Sequence, residues 1–253
     1  RSTDPFHVLL SEFMLQQTQV KTVIPFFNKF LIKYPNIYKL AETKLDDILI
    51  DWSGLGYYRR AKNLHETSKI ICNDFNGEIP QDFKTLIKFP GIGDYTASAI
   101  MAIGFNKPSN VIDGNIERIM CRLNKITKRV DLAKREIKTV ASNYIPQENN
   151  ALYVQGLMDI GATICKPRNA YCLKCPLKNF CKVANQDISI SFPIKKTKPL
   201  KKLRSGIFIC YVKDRNKILL IKNKDKGLFS NMYVLPSLGW GSNDFSDNEI
   251  LIE

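Results

Sequence analysis

Residues 89–100, FPGIGDYTASAI, set a proline and two glycines between one short apolar run and the start of another. Pro90 turns the chain. Gly91 and Gly93 let backbone amides come close to a ligand at the start of the following helix, where the helix dipole favours an anion. The stretch reads as two helices joined by a hairpin whose tip can hold a phosphate. Glycine turns between helices are common, so this reading draws its weight from what lies on either side.

From about residue 6 to residue 183 the periodicity is helical and no convincing strand interrupts it. The candidate helices are DPFHVLLSEFMLQQ, TVIPFFNKFLIKY, KLDDILIDW, YRRAKNLHETSKIICNDF, DFKTLIKF, DYTASAIMAIGF and NIERIMCRLNKI, punctuated by Gly, Pro and Asn as in SGLG at 53–56. Early in the chain, Leu9, Leu10, Phe13, Met14, Val20, Val23, Ile24 and Phe27 make a broad apolar face with Glu12 at its edge. The pattern changes after residues 193–204, PIKKTKPLKKLR, where six basic residues, two prolines and no apolar period read as a solvated linker. Beyond it, GIFICYV at 206–212 and KILLIKN at 217–223 are strand-like runs flanking the turn KDRN. The expected architecture is mainly α: a helical region over 1–192, a basic linker over 193–205, and a partial α+β piece over 206–253.

At 253 residues and 44% hydrophobic content the chain can bury a large core. No apolar stretch approaches a membrane span, and no leader with a cleavage site opens the chain, so an intracellular location is expected. A start at Arg1 and an end in mid-pattern at Glu253 read as a fragment. Lys and Arg outnumber Asp and Glu by 38 to 24, a net charge of +14, which points to a polyanionic partner, nucleic acid first. A membrane surface is the second candidate, but no basic amphipathic helix with a lipid-seeking face supports it.

Of the seven cysteines, four fall in CKPRNAYCLKCPLKNFC: Cys165, Cys172, Cys175 and Cys181, with gaps of six, two and five residues. Four thiolates in one loop can close on a single metal centre, and spacing alone leaves zinc and an iron–sulfur cube both open. Cys72, Cys121 and Cys210 lie in apolar segments and are expected to be inert core residues. Lys166 and Arg168, between the first two ligands, read either as a basic loop held against phosphate or as ordinary surface charge.

Two acids complete the pattern. Glu12 stands among apolar neighbours, where ionisation is costly and the pKa rises towards neutrality. Asp113 in VIDGNIERIMCR leads Gly114 and Asn115 at a helix start. Alone, the first reads as a solvated helix carboxylate and the second as an N-cap.

Together, the PGIG hairpin, an Asp twenty residues beyond it and a C-x6-C-x2-C-x5-C loop resemble the endonuclease III superfamily of helix-hairpin-helix base-excision DNA glycosylases. SEFMLQQTQV, WSGLGYYRRAKNL, FPGIGDYTASAI, VIDGN and QGLMDIGATIC are similar to its MutY-type adenine glycosylase family, which removes adenine mispaired with 8-oxoguanine. The resemblance implies a two-lobed helical fold, a [4Fe-4S] cluster on the four loop cysteines, and a monomer acting on double-stranded DNA with 8-oxoguanine:A or G:A mispairs. It implies that Glu12 protonates the adenine leaving group at N7. Gln16, Gln17 and Thr18 would form a DNA-facing loop, with Gln17 entering the base stack and Tyr57 acting as an aromatic wedge. Leu15 and Gln155 would line the adenine pocket, and Gly91 and Gly93 the phosphate clamp.

The chemistry agrees with that assignment. Breaking an N-glycosidic bond builds positive charge on the sugar and negative charge on the base, so the site needs an acid and a carboxylate. Glu12 and Asp113 supply the pair, with Tyr95 and Asn115 positioning them. Lyase members of the superfamily place a lysine where this chain has Tyr95, so a monofunctional enzyme is expected. A pyrimidine glycosylase-lyase and a non-catalytic DNA-binding module are the competing readings.

Residues 206–253 resemble the start of the Nudix-like C-terminal domain of the same family, with GLFSNMYVLPS similar to its glycine, aromatic and proline pattern. That domain is associated with recognising 8-oxoguanine. The stretch is too short for the whole of it and lacks the Glu-rich Nudix box, so pyrophosphatase activity is not expected. The family also carries a helix and an LPWR-like segment ahead of the position of Arg1.

Overall fold

The computed structural model describes residues 2–184, 190–196, 205–213, 217–224, 229 and 232–241. Most of the basic linker, residues 214–216 of the KDRN turn and residues 227, 228, 230 and 231 of GLFSNMYVLPS lie outside these residues. The chain divides into two compact units between Lys196 and Thr197.

The first unit is helical. Helix α1 spans Pro5–Leu15, with Pro5 at its first position and Asp4 capping it by accepting from the amides of Phe6 at 2.8 Å and His7 at 3.0 Å. Its apolar stripe of Leu9, Leu10, Phe13 and Met14 is almost fully buried. The helix stops where Gln17 adopts φ +57°, and α2 (Val20–Lys33) then starts on a new axis. This corrects the continuous face expected from the sequence: Val23 is buried, whereas Val20 and Ile24 are exposed.

Helices α3 (Ile37–Glu42), α4 (Leu45–Asp51), α5 (Arg59–Asp74) and α6 (Phe83–Leu86) follow. Phe30 meets Trp52 edge-on at 5.5 Å and anchors the core between α2 and the end of α4. The run DFKTLIKF yields only the four-residue α6, capped by Asp82, because the chain must turn into the proline at 90. Helix α7 (Asp94–Ala99) continues through a π turn at Ile100–Gly104, and α8 spans Gly114–Asn124. Helices α9 (Lys134–Ser142) and α10 (Asn150–Asp159) complete the unit, and a second π turn at Ile160–Ile164 leads into the cysteine loop. α1 packs against α2, α5, α7 and the first π turn, which puts Glu12 inside the unit.

In the second unit, β1 (Ser205–Phe208), β2 (Val212–Lys213), β3 (Lys217–Ile218), β4 (Ile221–Lys222), β5 (Tyr233–Val234) and β6 (Ser237–Gly241) form antiparallel pairs. β1 pairs with β6, β2 with β3 and β4 with β5. Each of the two strand-like runs is thus broken into two short strands. Cys210 falls in the first break and is exposed, which corrects its expected place in a core. Among the described residues no helix is long and apolar enough to cross a membrane.

Candidate active site

Glu12 sits two turns into α1 with only 5% of its surface exposed, well inside the edge position read from the helical period. The Tyr95 hydroxyl, from the first turn of α7, donates a hydrogen bond to its carboxyl. Glu12 Oε2 is buried with no hydrogen-bond partner in the structure. Burial raises the Glu12 pKa to about 7, the Tyr95 bond pulls it down in part, and nearby Asp113 pushes it up. Tyr95 is itself held well above the ordinary tyrosine range, first by burial and then by the charges of Glu12 and Asp113, so its hydroxyl keeps its proton.

Asp113 caps α8. Its Oδ1 accepts from the amides of Asn115 at 2.9 Å and Ile116 at 2.7 Å, and its Oδ2 from the Asn115 side-chain amide at 2.9 Å. The N-cap reading is met, and the cap fixes the orientation of the Asp113 carboxylate. Glu12, Tyr95, Asp113 and Asn115, drawn from α1, α7 and α8, form one electrostatically connected group.

Two arginines that the sequence reading passed over support it from behind. Arg118 Nη2 donates to Asn115 Oδ1 at 3.0 Å and to the Gly161 carbonyl at 2.7 Å, while its Nε donates to the Cys165 carbonyl at 2.8 Å. Arg122, one turn on, reaches the Cys165 sulfur at 3.2 Å and the Lys166 carbonyl at 2.8 Å. Both are buried. The signal was their spacing of four, which sets them one turn apart on the same face of α8. Gly161 belongs to the same construction, because a Cβ there would stand 2.5 Å from Asn115 Cβ.

The hairpin glycines differ from one another. Gly91 has φ +79°, and a Cβ on it would lie 2.7 Å from Phe13 Cε1 and 2.9 Å from Asn63, so conformation and packing both require glycine. Gly93 has ordinary extended φ and faces open space, leaving the start of α7 accessible. The Gln16 side chain donates to the Gly91 carbonyl at 3.2 Å, joining the end of α1 to the hairpin. Gln17 and Tyr57 are exposed and both have positive φ, while Thr18 is half-buried, with its amide bonded to the Leu15 carbonyl at 3.2 Å. Leu15 and Gln155 are half-buried, on the last turn of α1 and within α10.

Cys165, Cys172, Cys175 and Cys181 line one small pocket with Arg122, Ile164 and Lys178. Among the described residues no three ligand side chains gather tightly enough to hold a single metal ion. Lys166 and Arg168 are exposed, with Lys166 over the Tyr171 ring at 5.5 Å. Cys121 is buried and its thiol pushed up to about 11 by burial, and Cys72 is half-buried.

A buried acid beside a tyrosine, within electrostatic reach of a helix-capping carboxylate and next to a glycine hairpin, is the geometry to be compared with known proteins. Residues 10–145 match the family model of the HhH-GPD superfamily base excision DNA repair proteins, and the chain belongs to that superfamily. It superposes on a thermostable thymine-DNA glycosylase with a TM-score of 0.65 at 28% identity, covering 72% of this chain and 85% of that one. A non-covalent endonuclease III–DNA complex gives 0.61 at 26%, over 71% and 83%. Within the superfamily the chain is a DNA glycosylase of the adenine DNA glycosylase family: the enzyme of that name from Buchnera aphidicola subsp. Schizaphis graminum is 40% identical over 234 residues, 92% of this chain and 67% of that one. The chain spans about two thirds of the length of the curated Buchnera relatives it matches.

Proposed function

We propose that the chain hydrolyses the N-glycosidic bond of adenine mispaired with 8-oxoguanine or guanine, acting on a base extruded from the duplex. The observation that carries the reading is Glu12: a buried carboxyl with a pKa near 7 and one oxygen unpartnered, hydrogen-bonded to Tyr95 and close to Asp113. Protonated Glu12 gives its proton to adenine N7 as the C1′–N9 bond breaks and its electron pair passes to the base. Asp113 stabilises the positive charge on the sugar, as an anion or through a transient bond. Glu12, now a carboxylate, takes a proton from the water that adds at C1′, which restores the acid and balances the hydrolysis. Tyr95 and Asn115 hold the two carboxyl groups in place. With a phenol in place of a lysine amine at position 95, no Schiff base forms there, and strand cutting is not part of the reaction.

The excision assay uses duplexes with 8-oxoguanine:A, G:A, T:A or thymine glycol under single turnover. Adenine loss from the first two, with nicks only after alkali, is expected. Thymine glycol release with direct nicking would replace this reading with a glycosylase-lyase, and binding without release would leave a DNA-binding module.

The cysteine pocket suits a [4Fe-4S] cluster. A zinc ion, with bonds of about 2.3 Å, gathers its four sulfurs within about 4 Å of one another, whereas a cube takes one thiolate at each of four separated irons. Four thiols around one pocket supply the set of thiolates that a cube takes, and Arg122 supplies an N–H···S bond of the kind that tunes such clusters. When bound, the cluster would serve as a structural centre for the loop. Iron and inorganic sulfide at about four each per chain, lost in Cys172→Ser, is the expected assay result; zinc alone would overturn it. The antiparallel pairs of the second unit support a partial Nudix-like domain, with 8-oxoguanine as its ligand.

A further inference from the structure

Arg60 is 6% exposed and lies among backbone carbonyls. Its Nη1 is 3.2 Å from the Phe13 carbonyl, 2.5 Å from that of Met14 and 2.6 Å from that of Gln16. Its Nη2 is 3.2 Å from the Leu55 carbonyl and 3.0 Å from that of Gly56. The guanidinium lies 5.4 Å from the Trp52 ring centroid and 5.3 Å from that of Tyr57. Trp52 Nε1 also donates to the Gly56 carbonyl at 3.0 Å.

The arrangement has a pattern that simple satisfaction of a helix end does not require. The Gln16 carbonyl belongs to the peptide entering Gln17, and the Gly56 carbonyl to the peptide entering Tyr57. Those two residues have φ +57° and +49°, a region that side-chain-bearing residues adopt only when their surroundings impose it. One planar fork thus fixes the peptide planes ahead of both exposed side chains, from segments about forty residues apart in sequence.

We propose that Arg60 is a positioning residue that sets Gln17 and Tyr57 in register with each other, so that the two enter the DNA as one unit and extrude the target base. The proposal rests on the function proposed above and on the DNA-entering roles that the resemblance implies for Gln17 and Tyr57. Lysine cannot reproduce it, because an ammonium offers a point charge where two loops need a fork.

The test is a double-mutant cycle on single-turnover excision from the 8-oxoguanine:A duplex: the parent, R60K, the Q17A/Y57A pair, and the three changes combined. R60K is expected to slow the parent by roughly ten-fold or more, the scale of one weakened stacking contact, and to change the Q17A/Y57A background by less than about two-fold. Equal losses in both backgrounds would mean a general packing role and overturn the proposal, as would no loss in the parent. If R60K does not fold, coupling between Q17A and Y57A, measured with Arg60 in place, decides: strict additivity overturns it. The same cycle read by fluorescence of 2-aminopurine in place of the adenine separates extrusion from chemistry. A parent that unstacks the base in an Arg60-dependent way but releases no adenine would sink the activity and leave the Arg60 role standing; unstacking indifferent to Arg60 would sink the role itself.

Discussion

Glu12→Gln is expected to lower the single-turnover rate of adenine release by roughly 10²–10⁴-fold, the usual contribution of a positioned general acid, and to leave duplex affinity nearly unchanged. The parent rate should fall by about ten-fold per pH unit above about 7, as the acid loses its proton, and the residual rate of the variant should lack that limb. Release at the parent rate would remove Glu12 from the chemistry. Stability should move the other way. The folded pKa of about 7 lies above the ordinary 4.5, so folding takes up a proton between these values. The contribution of this group is complete below about 4.5 and is lost as pH rises through 7. Glutamine removes the titration, so the variant should be more stable than the parent at pH 8, by up to roughly 3 kcal/mol, and close to it at pH 5. Thermal melts at the two pH values measure the difference. Equal gaps at both would mean that the Glu12 carboxyl is not held neutral by its burial.

Asp113→Asn is expected to cost roughly 10²–10³-fold in excision, since in the proposed reaction it removes the negative charge that stabilises the developing sugar cation. Asparagine caps a helix as well as aspartate does, so the melting temperature should hardly change, whereas Asp113→Ala should lose about 1 kcal/mol of stability in addition to activity. Paired melts and rates for the two variants separate the cap from the carboxylate. An asparagine variant that excises as the parent does would reduce Asp113 to its cap.

The legible features of this sequence are those whose residue type admits few uses. A proline and two glycines between apolar runs could be read as a hairpin, because that depends on local chain alone. The helical character of the first unit was likewise evident from its period. The burial of Glu12 was harder: on a helical wheel it sits beside the apolar stripe, and only the reversal at Gln17 and the packing of α7 close over it. Arg60, Arg118 and Arg122 were hidden by composition. In a chain of net charge +14 an arginine reads as surface, and nothing local shows that its donors meet carbonyls forty or more residues away. Cys210 failed in the opposite sense: its neighbours are apolar, but the strand breaks beside it and leaves it outside.

Arg118 also bears on how the protein comes into being. Glu12, Tyr95 and Asp113 are all made before Gly161 and Cys165, whose carbonyls tether Arg118 and through it Asn115. Chains grow from the N-terminus at about 5–20 residues per second. For several seconds a nascent chain therefore holds both carboxyl groups without the tether that orders them. An Asn115 held by Arg118 therefore exists only once the cysteine loop has begun to emerge, so the order of synthesis places this tether last.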